Sequence, residues 1–143
     1  MSGLRIGFQH SGRTGLMRLV APFSAWVDRS PYSHTELQLP DGTCCTALPG
    51  KGVVMRPLHL DPKNFDFLPL PGHLEPRIRA WYKAHEGEGY DWLGNVRFLT
   101  PLISEERKHW FCSESHLAAI GVPEPWRFGP GGTYNLIKWS FPS

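Results

Sequence analysis

The sequence predicts an α+β domain in which a small antiparallel sheet or barrel packs against helices. In the first half of the chain, polar and apolar residues alternate between turn signals, which indicates strands. A clear amphipathic pattern follows in the middle of the chain and indicates a helix. The length of 143 residues and the hydrophobic content of 41% suit one domain with one core, residues 1–143.

Most strands are predicted within the first 70 residues. In the clearest one, Leu37 and Leu39 alternate with polar residues, which is typical of a half-buried strand. Turn signals at 40–42 and 50–52 separate it from its partners, and Pro69 assigns the last strand to a sheet edge. The predicted strands are Arg5–Phe8, His34–Leu39, Thr43–Ala47, Val53–Leu58 and Phe65–Leu70.

Most helices are predicted in the second half. The clearest has Pro76 in its first turn and Gly87 past its end, and Ile78, Trp81 and Tyr82 form its apolar face. The aromatic segment Tyr134–Trp139 is predicted to be a last strand. The other predicted helices are Thr14–Val20, Tyr90–Leu99 and Cys112–Ile120.

Composition and charge narrow the classes of partner and compartment. The net charge of +2 and the mixed distribution of charges do not favour a nucleic-acid-binding protein. No apolar run reaches the length of a signal peptide or a membrane span. The chain has three cysteines, and the neighbours Cys44 and Cys45 are too close to bridge each other. A cytoplasmic location is therefore predicted.

Cys112 is the leading candidate for a reactive residue. It lies in the first turn of the predicted helix Cys112–Ile120, where free backbone N–H groups and the helix dipole favour thiolate over thiol. A thiolate is the nucleophile of cysteine hydrolases and acyltransferases. The alternative is that Cys112 packs in the core, as free cysteines commonly do.

His34 is the candidate base for this nucleophile. It lies on the strand His34–Leu39, and Glu36 shares its face because residues two apart on a strand point the same way. Their Cα atoms are about 6.6 Å apart by strand rise, within reach of the two side chains. Glu36 is thus one candidate to orient the imidazole.

Two sets of motifs occur in a fixed order along the chain. In the first half they are Tyr32-Ser33-His34, Pro40-Asp41-Gly42, Thr46-Ala47 and Gly52-Val53, and in the second half Gly89-Tyr90-Asp91-Trp92-Leu93-Gly94 and Trp110-Phe111-Cys112-Ser113-Glu114. These segments resemble the two halves of the circularly permuted papain-like hydrolases, which are relatives of the NlpC-type cell-wall peptidases and of lecithin:retinol acyltransferase. The resemblance covers roughly residues 30 to 120, and small proteins of this kind are common among bacteriophage genes.

The resemblance implies roles for individual residues. Cys112 is expected to be the nucleophile and His34 the base, with their reactive atoms within about 4 Å of each other. The position that orients the histidine in many relatives, an acidic residue or histidine, is occupied here by Thr46. Glu36 and Thr46 both remain candidates for that role. Tyr90 is a candidate for contact with substrate.

The predicted activity is cleavage of an amide bond, in a peptide or isopeptide, through an acyl-enzyme intermediate. The predicted partner is accordingly a peptide or acylated substrate, and no cofactor is expected. Acyl transfer and thioester cleavage are alternatives within the same chemistry. A binding module that keeps the fold without turnover is an alternative of a different class.

A zinc site is the remaining alternative. His109, Cys112 and His116 have spacings of three and four, which place them on one face of a continuous helix. Cys44 or Cys45 is the candidate fourth ligand. The preferred prediction has no metal, because Trp110 and Phe111 indicate that the helix begins after His109.

Overall fold

The computed structural model describes residues 3–11, 30–90 and 109–142. The described part combines helices with an antiparallel sheet, which confirms the α+β class. Its strands are β1 Arg5–His10, β2 Tyr32–Gln38, β3 Thr43–Leu48, β4 Gly52–Pro57, β5 Phe65–Pro69, β6 Gly89–Tyr90 and β7 His109–Trp110. Its α-helices are α1 Glu75–His85, α2 Cys112–Ile120 and α3 Pro130–Ser140, and 3-10 turns cover Gly72–Leu74 and Pro125–Arg127.

Five strands form one sheet in the order β4-β3-β2-β1-β5, and each is antiparallel to its neighbours. The predicted hairpin of β2 and β3 is confirmed, with Leu37 opposite Cys45 and Gln38 opposite Cys44. Pro69 ends β5 at the sheet edge, as predicted, where its missing N–H breaks no ladder. The hydrophobic core lies between one sheet face and the helices; it includes Ile6, Leu37, Ala47, Ile78, Leu117 and Ile137.

The prediction that β2 is half-buried is wrong, because all seven of its residues are buried. Leu37 faces the core, and the polar residues between the apolar ones are covered as well. On the neighbouring strand β1, Gly7 pairs with Glu36 and lies against the side chains of Phe65, Phe67 and Leu60. The polar residues of β2 consequently need partners within the protein.

The helix predictions have mixed outcomes. Helix α1 begins at Glu75, carries Pro76 in its first turn and buries Ile78 and Tyr82, as predicted. The predicted helix Thr14–Val20 lies outside the described residues. In the predicted helix Tyr90–Leu99, Tyr90 belongs instead to the strand β6, which pairs in parallel with β7; the other positions, 91–99, lie outside the described residues.

The predicted strand Tyr134–Trp139 is wrong, since these residues belong to α3. Pro130 is at the first helical position, where its fixed φ favours a helix start. Thr133 and Ile137 are four residues apart and buried, so the helical period matches the face that packs inward. Aromatic content suggested a strand, but the proline and this spacing decide in favour of a helix.

A glycine at the start of β4 allows the segment that precedes β6 to pack closely against this strand. Gly52 has φ +72°, and a Cβ there would overlap the carbonyl group of Glu88. The close approach lets the Val53 N–H donate to that carbonyl (2.8 Å), while the Gly87 N–H donates to the Val53 carbonyl (2.9 Å). These bonds hold the start of β6, and β6 in turn pairs with the strand that leads into α2.

Candidate active site

Cys112 is the first residue of α2, as predicted. The preceding Phe111 is extended (φ −101°, ψ 167°), and its N–H donates to the carboxylate of Glu114 at 3.4 Å. Glu114 thus satisfies a backbone donor at the helix start. Gly121, in the left-handed conformation with φ +90°, ends the helix.

A polar and aromatic cluster holds the segment just before this helix. The indole N–H of Trp110 donates to the carboxylate of Glu88, and the same carboxylate contacts Nδ1 of His85 at 2.8 Å. Trp81 stacks on the His85 ring and meets Trp110 edge to face. The backbone that enters α2 is thereby tied to the end of α1.

Hydrogen bonds also hold the first turn of α2. The Ser115 hydroxyl donates to the carbonyl of Cys112 at 2.7 Å. The Tyr82 hydroxyl of α1 lies 2.9 Å from the Ser115 oxygen and 2.6 Å from Nδ1 of His116. The Ser113 hydroxyl donates to the carbonyl of Phe128 at 3.0 Å. Contacts with α1, through Tyr82, and with the backbone of Phe128 therefore both hold the Cys112 backbone in position.

His34 lies on β2, where the pairing with β1 shifts register, and its side chain is buried. Its Nε2 atom is 3.0 Å from Oε1 of Glu36, as expected for residues two apart on one strand. Its Nδ1 atom is also buried and has no conventional hydrogen-bond partner in the described part of the chain. Cys112 interacts with the His34 ring, and Nδ1 is the ring nitrogen that the contact with Glu36 leaves unoccupied.

Strand β4, which is separated from β2 by β3, contributes an ion partner for Glu36. A guanidinium nitrogen of Arg56, on β4, lies 2.7 Å from the same Oε1 atom that contacts His34. The Glu36 side chain is only 2% exposed, whereas that of Arg56 is 29% exposed. A buried carboxylate shared by two cationic groups can stay ionised despite its loss of water.

Thr46 lies close by but has another partner. Its hydroxyl is fully buried and donates to the carbonyl of Thr35 at 2.9 Å. The backbone pairing of β2 with β3 involves Leu37 and Gln38, and the Thr46 hydrogen bond links the two strands farther along. Of the two candidates to orient His34, Glu36 makes the contact, and the Thr46 hydroxyl is directed to the backbone of β2.

Cys112 and His34 shift each other's pKa values in the directions that favour the charged forms. Burial alone raises the pKa of the Cys112 thiol, but the interaction with His34, reinforced by Thr35, lowers it below its ordinary value. Burial alone lowers the pKa of His34, but Cys112 and Glu36 raise it to about 10. Each residue therefore stabilises the ionised form of the other.

Glu36 completes this electrostatic arrangement. Burial by itself raises the pKa of its carboxyl group, but His34 and Arg56 outweigh burial and lower that pKa. The carboxylate thus remains negative and favours the positive form of His34. The two interactions are reciprocal, because each charge stabilises the other.

Four other buried titratable groups show the opposite behaviour. Burial raises the pKa of Cys44 to about 11 and that of Cys45 to about 12. Burial lowers the pKa of His116 to about 4 and raises that of Tyr82 well above its ordinary value. All four side chains are neutral at pH 7.

Tyr90 and the zinc alternative are described only in part. The backbone of Tyr90 pairs with Trp110, two residues before Cys112, but its side chain lies outside what the structure describes. His109 lies in β7, before α2 begins, and its side chain is likewise outside the described part. His116 directs Nδ1 to the Tyr82 hydroxyl. Within the described residues, no three His, Cys, Asp or Glu side chains form a cluster suited to a metal ion.

The sequence analysis missed Thr35 and Arg56. Thr35 directly follows His34, but its effect on Cys112 depends on where α2 meets β2, which no local pattern reveals. For Arg56 a signal existed, since a buried carboxylate is almost always paired with an opposite charge. That signal becomes useful only when the burial of Glu36 is known.

A comparison with protein-family models finds none that matches this chain, and a comparison with curated protein sequences finds no significant match. No described helix combines the length and apolar character required to cross a membrane. The functional interpretation therefore depends on the geometry of the site and on the motifs themselves.

Proposed function

We propose that this protein is a cysteine hydrolase with a permuted papain-like arrangement, in which Cys112 is the nucleophile and His34 the base. The observation that supports it best is the buried His34 side chain, bonded to Glu36 through Nε2 at 3.0 Å while Nδ1 is left for Cys112. The opposite pKa shifts of Cys112 and His34 agree with this assignment. Glu36 takes the orienting role.

The reaction begins from the ion pair. The Cys112 thiolate attacks the carbonyl carbon of an amide, and the carbonyl electron pair moves to oxygen. The backbone N–H of Cys112, at the start of α2, is a donor for that oxyanion. Collapse of the intermediate breaks the C–N bond, and the leaving amine takes the proton from His34.

The second half of the reaction regenerates the site. The acyl group is held as a thioester on Cys112, and His34 is now neutral. His34 removes a proton from a water molecule as that water attacks the thioester carbon. Collapse then releases the carboxylic acid and restores the thiolate beside the imidazolium. An amine or alcohol in place of water would give acyl transfer.

Thiol labelling tests the ion pair directly. Iodoacetamide labelling of each cysteine between pH 5 and 9, read by peptide mass spectrometry, should show Cys112 reacting well below pH 8, while Cys44 and Cys45 should not. In His34→Ala, the main interaction that offsets the burial of Cys112 is gone, and labelling of Cys112 at pH 6.5 should fall by on the order of a hundredfold. Labelling of Cys112 that does not depend on His34 would contradict the proposal.

Turnover needs a separate measurement. Mixing the protein with an activated ester and recording its intact mass should show one added acyl group, absent in Cys112→Ala and present in the control Cys44→Ala. Decay of that adduct in water indicates hydrolysis, and faster decay with an added amine indicates acyl transfer. An adduct that never forms, despite a reactive thiolate, would favour the binding module.

A further inference from the structure

Oε1 of Glu36 contacts two cationic groups, His34 at 3.0 Å and Arg56 at 2.7 Å. We propose that Arg56 is a positioning residue for the Cys112–His34 pair, which keeps Glu36 ionised and directed at the imidazole. This inference rests on the proposed function, since it concerns the same pair. Arg56 acts through Glu36, two side chains away from the reacting sulfur.

Burial is the reason that Glu36 needs a second cation. A carboxylate removed from water is strongly destabilised unless opposite charge or hydrogen bonds replace its hydration. His34 alone provides a charge only while it is protonated. The positive charge of Arg56 does not depend on the proton of His34, so it keeps Glu36 negative even when His34 passes that proton on during the reaction.

The alternation of charge along this line makes the ion pair possible in a buried site. Thiolate, imidazolium, carboxylate and guanidinium alternate in sign, and their formal charges cancel. Without Arg56, the other three would have a net negative charge in a place of low dielectric. The proton of His34 would then be drawn back to Cys112 or to Glu36, and either transfer weakens the nucleophile.

The other titratable neighbours do not replace Arg56. Of those that face Glu36 or His34, Cys44, Cys45, Tyr82 and His116 are neutral at pH 7. On β1, Arg5 binds the Oε1 atom of Gln38 instead, at 2.7 and 2.9 Å. Tyr134 of α3 packs against the Tyr32 ring.

The sheet offers a matched control for Arg56. The register aligns Arg5, Gln38, Cys44 and Arg56 in one row across four strands, with an arginine at each end. Arg56 reaches the ionised Glu36, whereas Arg5 reaches the neutral Gln38. Replacing Arg5 therefore removes the same charge from the same row without removing the contact with Glu36.

The test is the pH midpoint of Cys112 labelling in Arg56→Gln, Arg56→Lys and Arg5→Gln. Arg56→Gln should raise the midpoint by about one unit and lower labelling at pH 6 about tenfold, because a Glu36 carboxylate without its arginine stabilises the imidazolium of His34 less. Arg56→Lys keeps the positive charge, so its midpoint should lie close to that of wild type. Arg5→Gln should keep the wild-type midpoint. Thermal unfolding and circular dichroism verify that each variant is folded.

A second pair of variants tests whether Arg56 acts through Glu36. In a Glu36→Gln background, adding Arg56→Gln should change the midpoint little, because the carboxylate it supports is already gone. A full extra shift there, or a wild-type midpoint in Arg56→Gln alone, would overturn the inference. If Arg56→Gln does not fold, Arg56→Met, which keeps an unbranched aliphatic stem and removes the charge, takes its place in both comparisons.

The labelling midpoints of His34→Ala and Arg56→Gln distinguish a failure of this inference from a failure of the proposed function. If His34→Ala shifts the Cys112 midpoint and Arg56→Gln does not, the pair exists and Arg56 does not support it. If His34→Ala leaves the midpoint unchanged, there is no ion pair, and the proposed function fails with it.

Discussion

Two sets of buried side chains in this protein respond to burial in opposite ways. Cys44, Cys45 and His116 become harder to ionise, as removal from water requires. Cys112 and His34 are buried equally well, yet each favours the ionised form of the other. Residue type and burial are shared between the sets, so neither explains the difference.

The neighbours explain it. Cys112 and His34 face each other, with Glu36 behind the histidine and Arg56 behind Glu36. Cys44 makes weak contacts with the carbonyl oxygen of Leu58 and the amide of Gln38, neither of which supplies a full charge. A buried cysteine in this fold thus favours its thiolate only where a line of alternating charges, here His34, Glu36 and Arg56, lies beside it. Without such neighbours it remains a neutral core residue.

The largest effect is expected at His116, one of the buried side chains that burial makes harder to ionise. Its pKa is lowered to about 4, while in the unfolded chain it titrates near 6.5. Below pH 6.5 the unfolded state binds more protons, so the free energy of unfolding should fall as pH drops. This residue alone should contribute a loss of roughly 2 kcal/mol between pH 7.5 and pH 5.

Urea unfolding of wild type and His116→Gln at a series of pH values measures this contribution. The variant is expected to be less stable at pH 7.5, since it loses the histidine contact with Tyr82, but its stability should depend less on pH. Equal slopes for the two proteins between pH 6.5 and pH 5 would mean that His116 is not held neutral.

The next effect separates the two candidates to orient His34. Glu36→Gln removes the carboxylate and should raise the pH midpoint of Cys112 labelling by about one to two units. Thr46→Val removes the hydroxyl that bonds the Thr35 carbonyl; it should cost about 1 kcal/mol of stability and leave the midpoint unchanged. A larger midpoint shift in Thr46→Val than in Glu36→Gln would reverse the assignment.

The smallest effect is expected at the cysteines of β3. Cys45 belongs to the hydrophobic core, and Cys45→Ala should lower the free energy of unfolding by about 1 kcal/mol through lost packing. Neither Cys45→Ala nor Cys44→Ala should change the labelling midpoint or acylation of Cys112. Loss of acylation in either folded variant would show that β3 contributes to the chemistry after all.

Local signals in the sequence were sufficient for the elements that carry the site. The turn at 40–42 predicted the hairpin of β2 and β3, and Pro76 predicted the start of α1. Cys112 was expected at a helix start and His34 on a strand, and both are there. These signals work because capping, turn geometry and proline effects act within a few residues.

Two failures of prediction concern what covers an element. Alternation indicated a strand with one solvated face, but β2 is enclosed on both. The aromatic content of Tyr134–Trp139 suggested a strand, whereas the inward face of Thr133 and Ile137 required a helix. Packing against distant segments decided both cases.

The sequence by itself determined the α+β composition, the hairpin that holds His34 and the helix that begins at Cys112. Only the tertiary structure decided that Glu36 rather than Thr46 contacts the imidazole, and that Arg56 pairs with Glu36. The reason is that a side chain's charge depends on the water it loses and the charges it meets. Both are set by strands and helices that are far apart in the chain.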